Sequence, residues 1–309
     1  MIRALRTPRL ATLAVALLLA GAAALVAGCG SGSGSGSDGP RIVVTTSVLG
    51  AVVRDLVGDR ATVDVLMPNG TDPHEFQPSA KDASRLQEAD LVVVNGLGLE
   101  ESLQEPLAQA RSAGVPVFDA GEHVDVRTFG QGEITDDGTG ADDPHFWMDP
   151  KQMERVVAAL APVVKDATGL DVSASATSLE TRLSGLSGEL AAQARTIPAA
   201  DRKLVTGHES MGYFARAFGF RLIGAIVPSL SSQAQPSAGD LAKLRAQIEA
   251  ERVPAIFTEI GTPPAVAEAV GDETGARVIE VASHNLPDDG SYFTFMRDVM
   301  AKVVEGLRP

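Results

Sequence analysis

Short runs of uninterrupted apolar residues recur along the chain, each stopped by a turn and followed by a stretch of helical character. Ile42-Val43-Val44-Thr45-Thr46, Thr62–Met67, Leu91–Val94 and Val115–Phe118 are the first four. Leu49–Val57 reads as a helix, and Ser79-Ala80-Lys81-Asp82 has the form of a capping box opening another that runs through Ala89. Strands apolar at consecutive positions must be covered on both faces, and helices between them supply the cover, so the pattern predicts an α/β fold with parallel sheets. The alternation restarts after position 200, with strands at Lys203–Thr206, Arg221–Ile226, Ala255–Thr258 and Arg277–Val281, and helices at 210–218 and 240–251. Between the halves lie two further helical stretches, Lys151–Ala167 and Ala174–Thr196, separated by Gly169-Leu170-Asp171. The second would span roughly 34 Å, a length suited to a strut crossing from one lobe to the other. With 44% hydrophobic residues the chain can bury a substantial core.

The N-terminus is of a different kind. Arg3, Arg6 and Arg9 precede an apolar run, Leu10–Leu25, which ends in Val26-Ala27-Gly28-Cys29. A basic region, a short apolar core and small residues at a cleavage point describe a secretory signal over 1–28. Its end resembles a bacterial lipobox, which implies that Cys29 is acylated, becomes the mature N-terminus and holds the protein at the extracytoplasmic face of the cell membrane. The run is too short for a spanning anchor. Cys29 is the only cysteine, so internal disulfides are excluded. Residues 29–39 form a Gly/Ser-rich tether with too little apolar surface to fold. The net charge is −14, and removing the three arginines of the signal takes the remainder to about −17. Such a balance disfavours nucleic acid as a partner and attracts cations.

Four of the five histidines sit in loops far apart in sequence. His74 lies in Thr71-Asp72-Pro73-His74, His145 in Asp143-Pro144-His145-Phe146-Trp147-Met148-Asp149-Pro150, His208 in Val205-Thr206-Gly207-His208-Glu209-Ser210, and His284 in Ala282-Ser283-His284-Asn285-Leu286. Neutral imidazoles are good ligands for a borderline-soft divalent ion. Parallel sheets collect ligands at the carboxyl ends of their strands. His208 directly follows one predicted strand, His284 another, and His74 a third after a six-residue turn. His145 precedes the linking helices. Two histidines from each lobe place a metal site in the cleft. The helix predicted to begin at Ser210 would keep His208 neutral through its dipole. His123 has no companion motif and reads as a surface residue, while Phe146 and Trp147 read as packing around His145.

The phrases Asp72-Pro73-His74, Ala89–Glu100, Asp143–Pro150, His208–Phe214 and Gly290-Ser291-Tyr292-Phe293 resemble, in order, those of the cluster A-I metal-binding proteins of bacterial ABC importers, solute-binding protein family 9. The resemblance runs from Ile42 to the C-terminus. It implies two Rossmann-like lobes, 40–173 and 198–309, joined by a long rigid linking helix, 174–197, with one metal between them. It also implies a monomer that captures the ion and delivers it to an ABC permease and its ATPase. His74, His145 and His208 fall on ligand positions of the family. His284 stands where the family often has an aspartate, and Glu259 resembles a family glutamate near the site, which leaves His284, Glu259 or water as fourth ligand. Imidazoles suit Zn2+, whereas Mn2+ favours oxygen. Members that prefer manganese tend to carry a glutamate where this chain has His208, so Zn2+ is the expected cargo and Mn2+ the alternative. The acidic segment 133–143 stands where zinc members often have a histidine-rich loop; it has no histidine and reads as solvated. The polar loop 224–237 resembles one bordering the cleft. A zinc hydrolase would need a phrase such as H-E-x-x-H, but Gly212 occupies the place of the second histidine. A surface adhesin would leave four ligand-like histidines without a role.

Overall fold

The computed structural model describes residues 39–129 and 140–308. The signal, Cys29, nearly all of the tether and residues 130–139 of the acidic segment therefore lie outside the described residues. Strands β1 (Arg41–Val44), β2 (Thr62–Val65), β3 (Leu91–Val94) and β4 (Val117–Asp119) form a parallel sheet in the order β2-β1-β3-β4. Strands β5 (Lys203–Thr206), β6 (Arg221–Ala225), β7 (Ala255–Thr258) and β8 (Arg277–Glu280) form a second in the equivalent order, β6-β5-β7-β8. In each sheet the direction of winding reverses between the first strand and the third, and there the loops part and leave a crevice. β4 begins two residues later than the apolar run suggested. Pro116 still accepts from the Val92 amide but has no N–H to return.

Side-chain alternation sorts the apolar strands into layers. Val43, Val92 and Val94 face an outer core with Leu86 and Leu103. Ile42, Val44, Leu91 and Val93 face inward. In the second sheet Val205 and Ile256 face outward with Leu244 and Ile248, while Leu204, Ala255 and Phe257 belong to the same inner cluster as Ile42 and Val44. One apolar core thus runs continuously between the sheets.

The helices follow their sequence signals. α1 (Ser47–Val57) is capped by Thr46, and α2 (Ala80–Gln87) has the Ser79/Asp82 capping box in full. α3 (Gln104–Ser112) completes the outer layer of the first half. α4 (Pro150–Thr168) starts with Pro150 behind an Asp149 cap. α5 (Ser173–Ala194) is the long helix; its 22 residues reach roughly 33 Å. After it come α6 (Gly212–Phe218), α7 (Ala238–Glu251), α8 (Pro264–Thr274) and α9 (Tyr292–Leu307). α7 begins two residues ahead of its predicted start, because Ser237 and Asp240 form a second capping box.

α5 buries Leu179, Leu183, Leu186 and Leu190, spaced by three and four residues along one stripe. It packs against α4 and α1 from the first half and against α6 and α9 from the second. The returning C-terminal helix α9 also reaches α1. Gly39–Pro309 is accordingly one compact unit built on two sheets. Among the described residues no helix is long and apolar enough to cross a membrane.

A shared core couples the sheets in unfolding. Leu183→Ala, at a fully buried position, should cost about 2–5 kcal/mol. Urea unfolding followed by far-UV circular dichroism and by the single tryptophan, Trp147, should give coincident transitions, shifted together by the mutation. Two separated transitions would contradict a common core.

Candidate metal centre

His208 is the second residue after β5, and Glu259 is the first after β7. Because β5 and β7 are neighbours at the crevice of the second sheet, these loops meet. Glu259 Oε1 accepts both the backbone N–H of His208 at 2.9 Å and its Nδ1–H at 2.6 Å, while Oε2 accepts from Ser210 Oγ at 3.1 Å. Glu259 therefore lies behind His208, with both carboxylate oxygens occupied.

His74 and His145 share a local construction. In each, the aspartate two residues earlier accepts the histidine's backbone N–H through Oδ1, at 3.0 Å from Asp72 and 3.0 Å from Asp143. Asp143 Oδ1 also takes His145 Nδ1 at 2.8 Å, and its Oδ2 takes a guanidinium N–H of Arg127 at 3.2 Å. His284, beyond β8, has Nδ1 paired with Ser283 Oγ at 2.7 Å. Its loop is held by the Trp147 indole N–H, which donates to Ser283 O at 2.9 Å, and Tyr292 O–H donates to Trp147 O at 2.7 Å.

These four histidines offer one ligand atom each, all within 4.8 Å of one another. His145, His208 and His284 are buried and His74 is half-buried. His145 Nε2 lies 3.3 Å from His74 Nε2 and 3.3 Å from His208 Nε2. A tetrahedron with zinc–nitrogen bonds of about 2.0–2.1 Å has edges of roughly 3.3–3.4 Å, so the spacing fits the ion. The tautomers point the same way. Carboxylates only accept, so neutral His145 and His208 both donate through Nδ1 and face each other with Nε2 lone pairs. Two acceptors at that distance require a proton or a cation between them. Among the described residues the buried His284 Nε2 also finds no hydrogen-bond partner, as suits an atom aimed at a cation.

Protonation follows from the surroundings. Burial, then the charges of His145 and His208, holds His74 well below the usual histidine range. Burial and the other three histidines do the same to His284. Burial, joined by the charge of His208, lowers His145 against the opposing pull of Asp143. At His208 burial also opposes the charge, but Glu259, with Asp72 and Glu209 behind it, carries the group above its ordinary value. The expected dipole effect is therefore overturned. α6 starts only at Gly212 and has seven residues, so the neighbour governing His208 is a carboxylate.

The acidic segment is also not uniformly solvated, since Asp142 is exposed and Asp143 fully buried. The signal for Asp143 was the repeated phrase Asp-Pro-His at 72–74 and 143–145, which places a carboxylate two residues before each histidine. His123 is exposed, stacks on Phe118 with ring centroids 4.7 Å apart and lies outside the cluster. Phe146 and Trp147 are buried, with the indole 5.2 Å from the His145 ring. Loop 226–237 supplies Ser232, whose Oγ donates to Asp72 Oδ2 at 2.6 Å, a contact invisible at the level of sequence.

Comparison with known proteins adds context. A family model described as zinc-uptake complex component A, periplasmic (ZnuA) matches residues 42–306. The zinc-binding protein TroA of Treponema pallidum is 30% identical over 261 residues, covering 81% of this chain and 81% of its own. The manganese-binding lipoprotein MntA of Halalkalibacterium halodurans is 28% identical over 278 residues, covering 87% and 89%. The solved structure of the periplasmic TroA superposes with a TM-score of 0.76 at 27% identity, over 88% of this chain and 100% of that one.

An NMR titration of metal-free protein should find one imidazole, His208, above the ordinary value of 6.5 and His74, His145 and His284 below it. Glu259→Gln removes the charge that raises His208 while burial remains, so His208 should then drop below that value. An unchanged His208 in the variant would mean that another group sets its protonation.

Proposed function

The chain belongs to the ZnuA family of periplasmic zinc-uptake components, and on that premise we propose that it captures Zn2+ outside the cytoplasm and delivers it to an ABC permease and its ATPase. The observation that carries the reading is the convergence of four imidazole nitrogens within 4.8 Å of one another, with His145 Nε2 at 3.3 Å from both His74 and His208, the edge of a zinc tetrahedron. His74, His145, His208 and His284 would hold the ion, two from residues 40–173 and two from residues 198–309, with 174–197 between them. Asp143 and Glu259 orient His145 and His208 by fixing their tautomers, and their charge strengthens both imidazoles as donors. Glu259 acts through His208 in this reading and not as a ligand.

The donor set favours zinc over manganese. Mn2+ seeks oxygen ligands and higher coordination, and the four converging groups are all nitrogens. Manganese remains the second reading because a relative with 28% identity is a manganese-binding lipoprotein. Four protein ligands also leave no open position for an activated water, which suits capture and transport more than hydrolysis.

The lipobox-like ending at Cys29 and the Gly/Ser segment behind it support a lipoprotein, tethered at the extracytoplasmic face of the cell membrane and able to reach the permease. Cys29→Ser should abolish incorporation of a labelled fatty acid and release the protein from membranes, with metal affinity intact. Unchanged labelling of the variant would remove Cys29 as the lipid site.

Calorimetric titration with Zn2+ should give one site. His208→Ala should weaken it by at least about a hundredfold, as loss of one of four ligands implies, with His123→Ala unchanged. Protons and zinc compete for Nε2, so lowering the pH weakens binding. Because His208 holds its proton above the ordinary value, that competition begins above about pH 6.5, at about tenfold per pH unit. It steepens at lower pH, when His145 and then His74 and His284 take up protons. An affinity independent of pH across that range would transfer the metal to carboxylates.

A further inference from the structure

His284 is carried by the second half of the molecule and held by the first. After β8 the Val281 N–H still donates to Thr258 O, and the chain then enters residues 283–286, which belong to no helix or strand. Ser283, His284 and Leu286 are buried, so their backbone polar groups need partners. Those partners come from the first half. The Trp147 indole N–H donates to Ser283 O at 2.9 Å, and the hydroxyl of Ser47, at the start of α1, reaches His284 O at 3.4 Å. Asn69, in the turn after β2, serves both polar atoms of Leu286. Its Oδ1 accepts the Leu286 N–H at 2.7 Å, and its Nδ2 donates to Leu286 O at 2.8 Å. The neighbouring Gly70 N–H donates to Asn285 Oδ1 at 2.9 Å.

Two asparagines thus face each other across the halves, each bound to the backbone of the other's loop. A side-chain amide carries a donor and an acceptor side by side, so Asn69 meets Leu286 as the facing residue of an antiparallel strand would. The Leu286 side chain is 8% exposed and packs into the shared inner core. Apolar contact therefore fixes its side chain and Asn69 fixes its backbone. His284 stands two residues earlier, with Ser283 pinned by Trp147 on its other side and Ser283 Oγ on its Nδ1 at 2.7 Å. The imidazole is located between two points, both set by first-half residues. Beyond Leu286 the loop turns on itself, Gly290 N to Pro287 O, toward the Ser291 cap of α9. Pro68-Asn69-Gly70 has the composition of an ordinary turn, but a turn alone does not require an amide whose two polar atoms both end on the opposite half.

We propose that Asn69, with Asn285 as its counterpart, is a positioning residue for His284: the pair of amides holds loop 283–286 so that this imidazole already stands at the metal site when the ion arrives. The proposal rests on the reading of the four histidines as a metal site. A loop ordered in advance spares the ion the entropy of ordering it, and that saving appears as affinity. Neither amide is a ligand; both act through His284. Asn69 is itself exposed, so its substitution removes the latch without opening the core.

The test is the zinc affinity of the full chain, measured by competition with a chelator. Asn69→Ala and, separately, Asn285→Ala should each weaken it by about tenfold, the lower end of what loss of a residue supporting a metal ligand costs. In the His284→Ala background neither substitution should weaken it further. With Co2+ in place of Zn2+, the visible bands of Asn69→Ala should shift toward those of His284→Ala, which a general loosening of the fold would not produce. Far-UV circular dichroism should stay unchanged; if Asn69→Ala fails to fold, Asn285→Ala carries the same comparison from the other side of the latch. Asn69 also lies five residues before His74, so bands shifted toward those of His74→Ala instead would overturn the proposal. Equal weakening with and without His284, bands that do not move, or an affinity that neither variant changes would overturn it as well. Should His284→Ala itself leave zinc affinity and the Co2+ bands unaltered, the ligand assignment fails along with the latch, which distinguishes that outcome from failure of the latch alone.

Discussion

Two imidazole nitrogens that face each other as acceptors, 3.3 Å apart and buried, are the constraint around which this molecule is organised. Neither His145 nor His208 can turn away, because each is fastened through Nδ1 to a carboxylate. The lone pairs left facing one another need a positive charge, and a proton supplies it at one point only. Four such nitrogens close together suit a divalent ion far better than they suit protons, since charged imidazoles repel each other. Assembling them requires loops from both sheets to converge, and the repeated strand order serves that end. It puts a crevice at the carboxyl edge of each sheet, and the long helices fix one sheet against the other.

The carboxylates are distributed unevenly. Asp143 lies behind His145 and is itself paired with Arg127, while Glu259 lies behind His208 and is met by a hydroxyl and a backbone amide. Among the described residues no carboxylate stands behind His284, whose Nδ1 meets a serine, and the aspartate beside His74 binds its backbone. The result is two strongly anchored, electron-rich donors and two weaker ones. This asymmetry also explains why Glu259 raises His208 above its ordinary value while burial and mutual repulsion hold His74 and His284 well below theirs.

Much of this was legible in the sequence because it is local. Apolar runs such as Leu91–Val94 and Ile42–Val44 announced buried parallel strands, the Ser79/Asp82 pair announced a helix start, and histidines just beyond predicted strands announced a site. What stayed hidden is long-range. The Ser232–Asp72 bond joins residues 160 apart, and Asn69 pairs with the backbone of Leu286, 217 residues away. Polar loop residues of this kind have no periodicity to betray their partners. The state of His208 was misjudged for a related reason: the helix after it was visible in the pattern, whereas Glu259, 51 residues on, outweighs it through direct contact.

The same division between apolar and polar contacts settles where the molecule can yield. Swinging the two halves apart would tear a cluster that includes Ile42, Val44, Leu183, Phe257 and Phe295, and each large side chain exposed costs about 1.5–3 kcal/mol. The loops over the site are joined by a handful of hydrogen bonds: Asn69 to Leu286, Gly70 to Asn285, Ser232 to Asp72 and Gln233 to His74. Each is worth only about 0.5–1.5 kcal/mol net between neutral groups and about twice that with a carboxylate, because water replaces the partner when it opens. Opening the loops costs less than parting the halves by several such contacts. The loops at the rim are thus the cheaper part of the molecule to open, with His145, His208 and His284 buried beneath them.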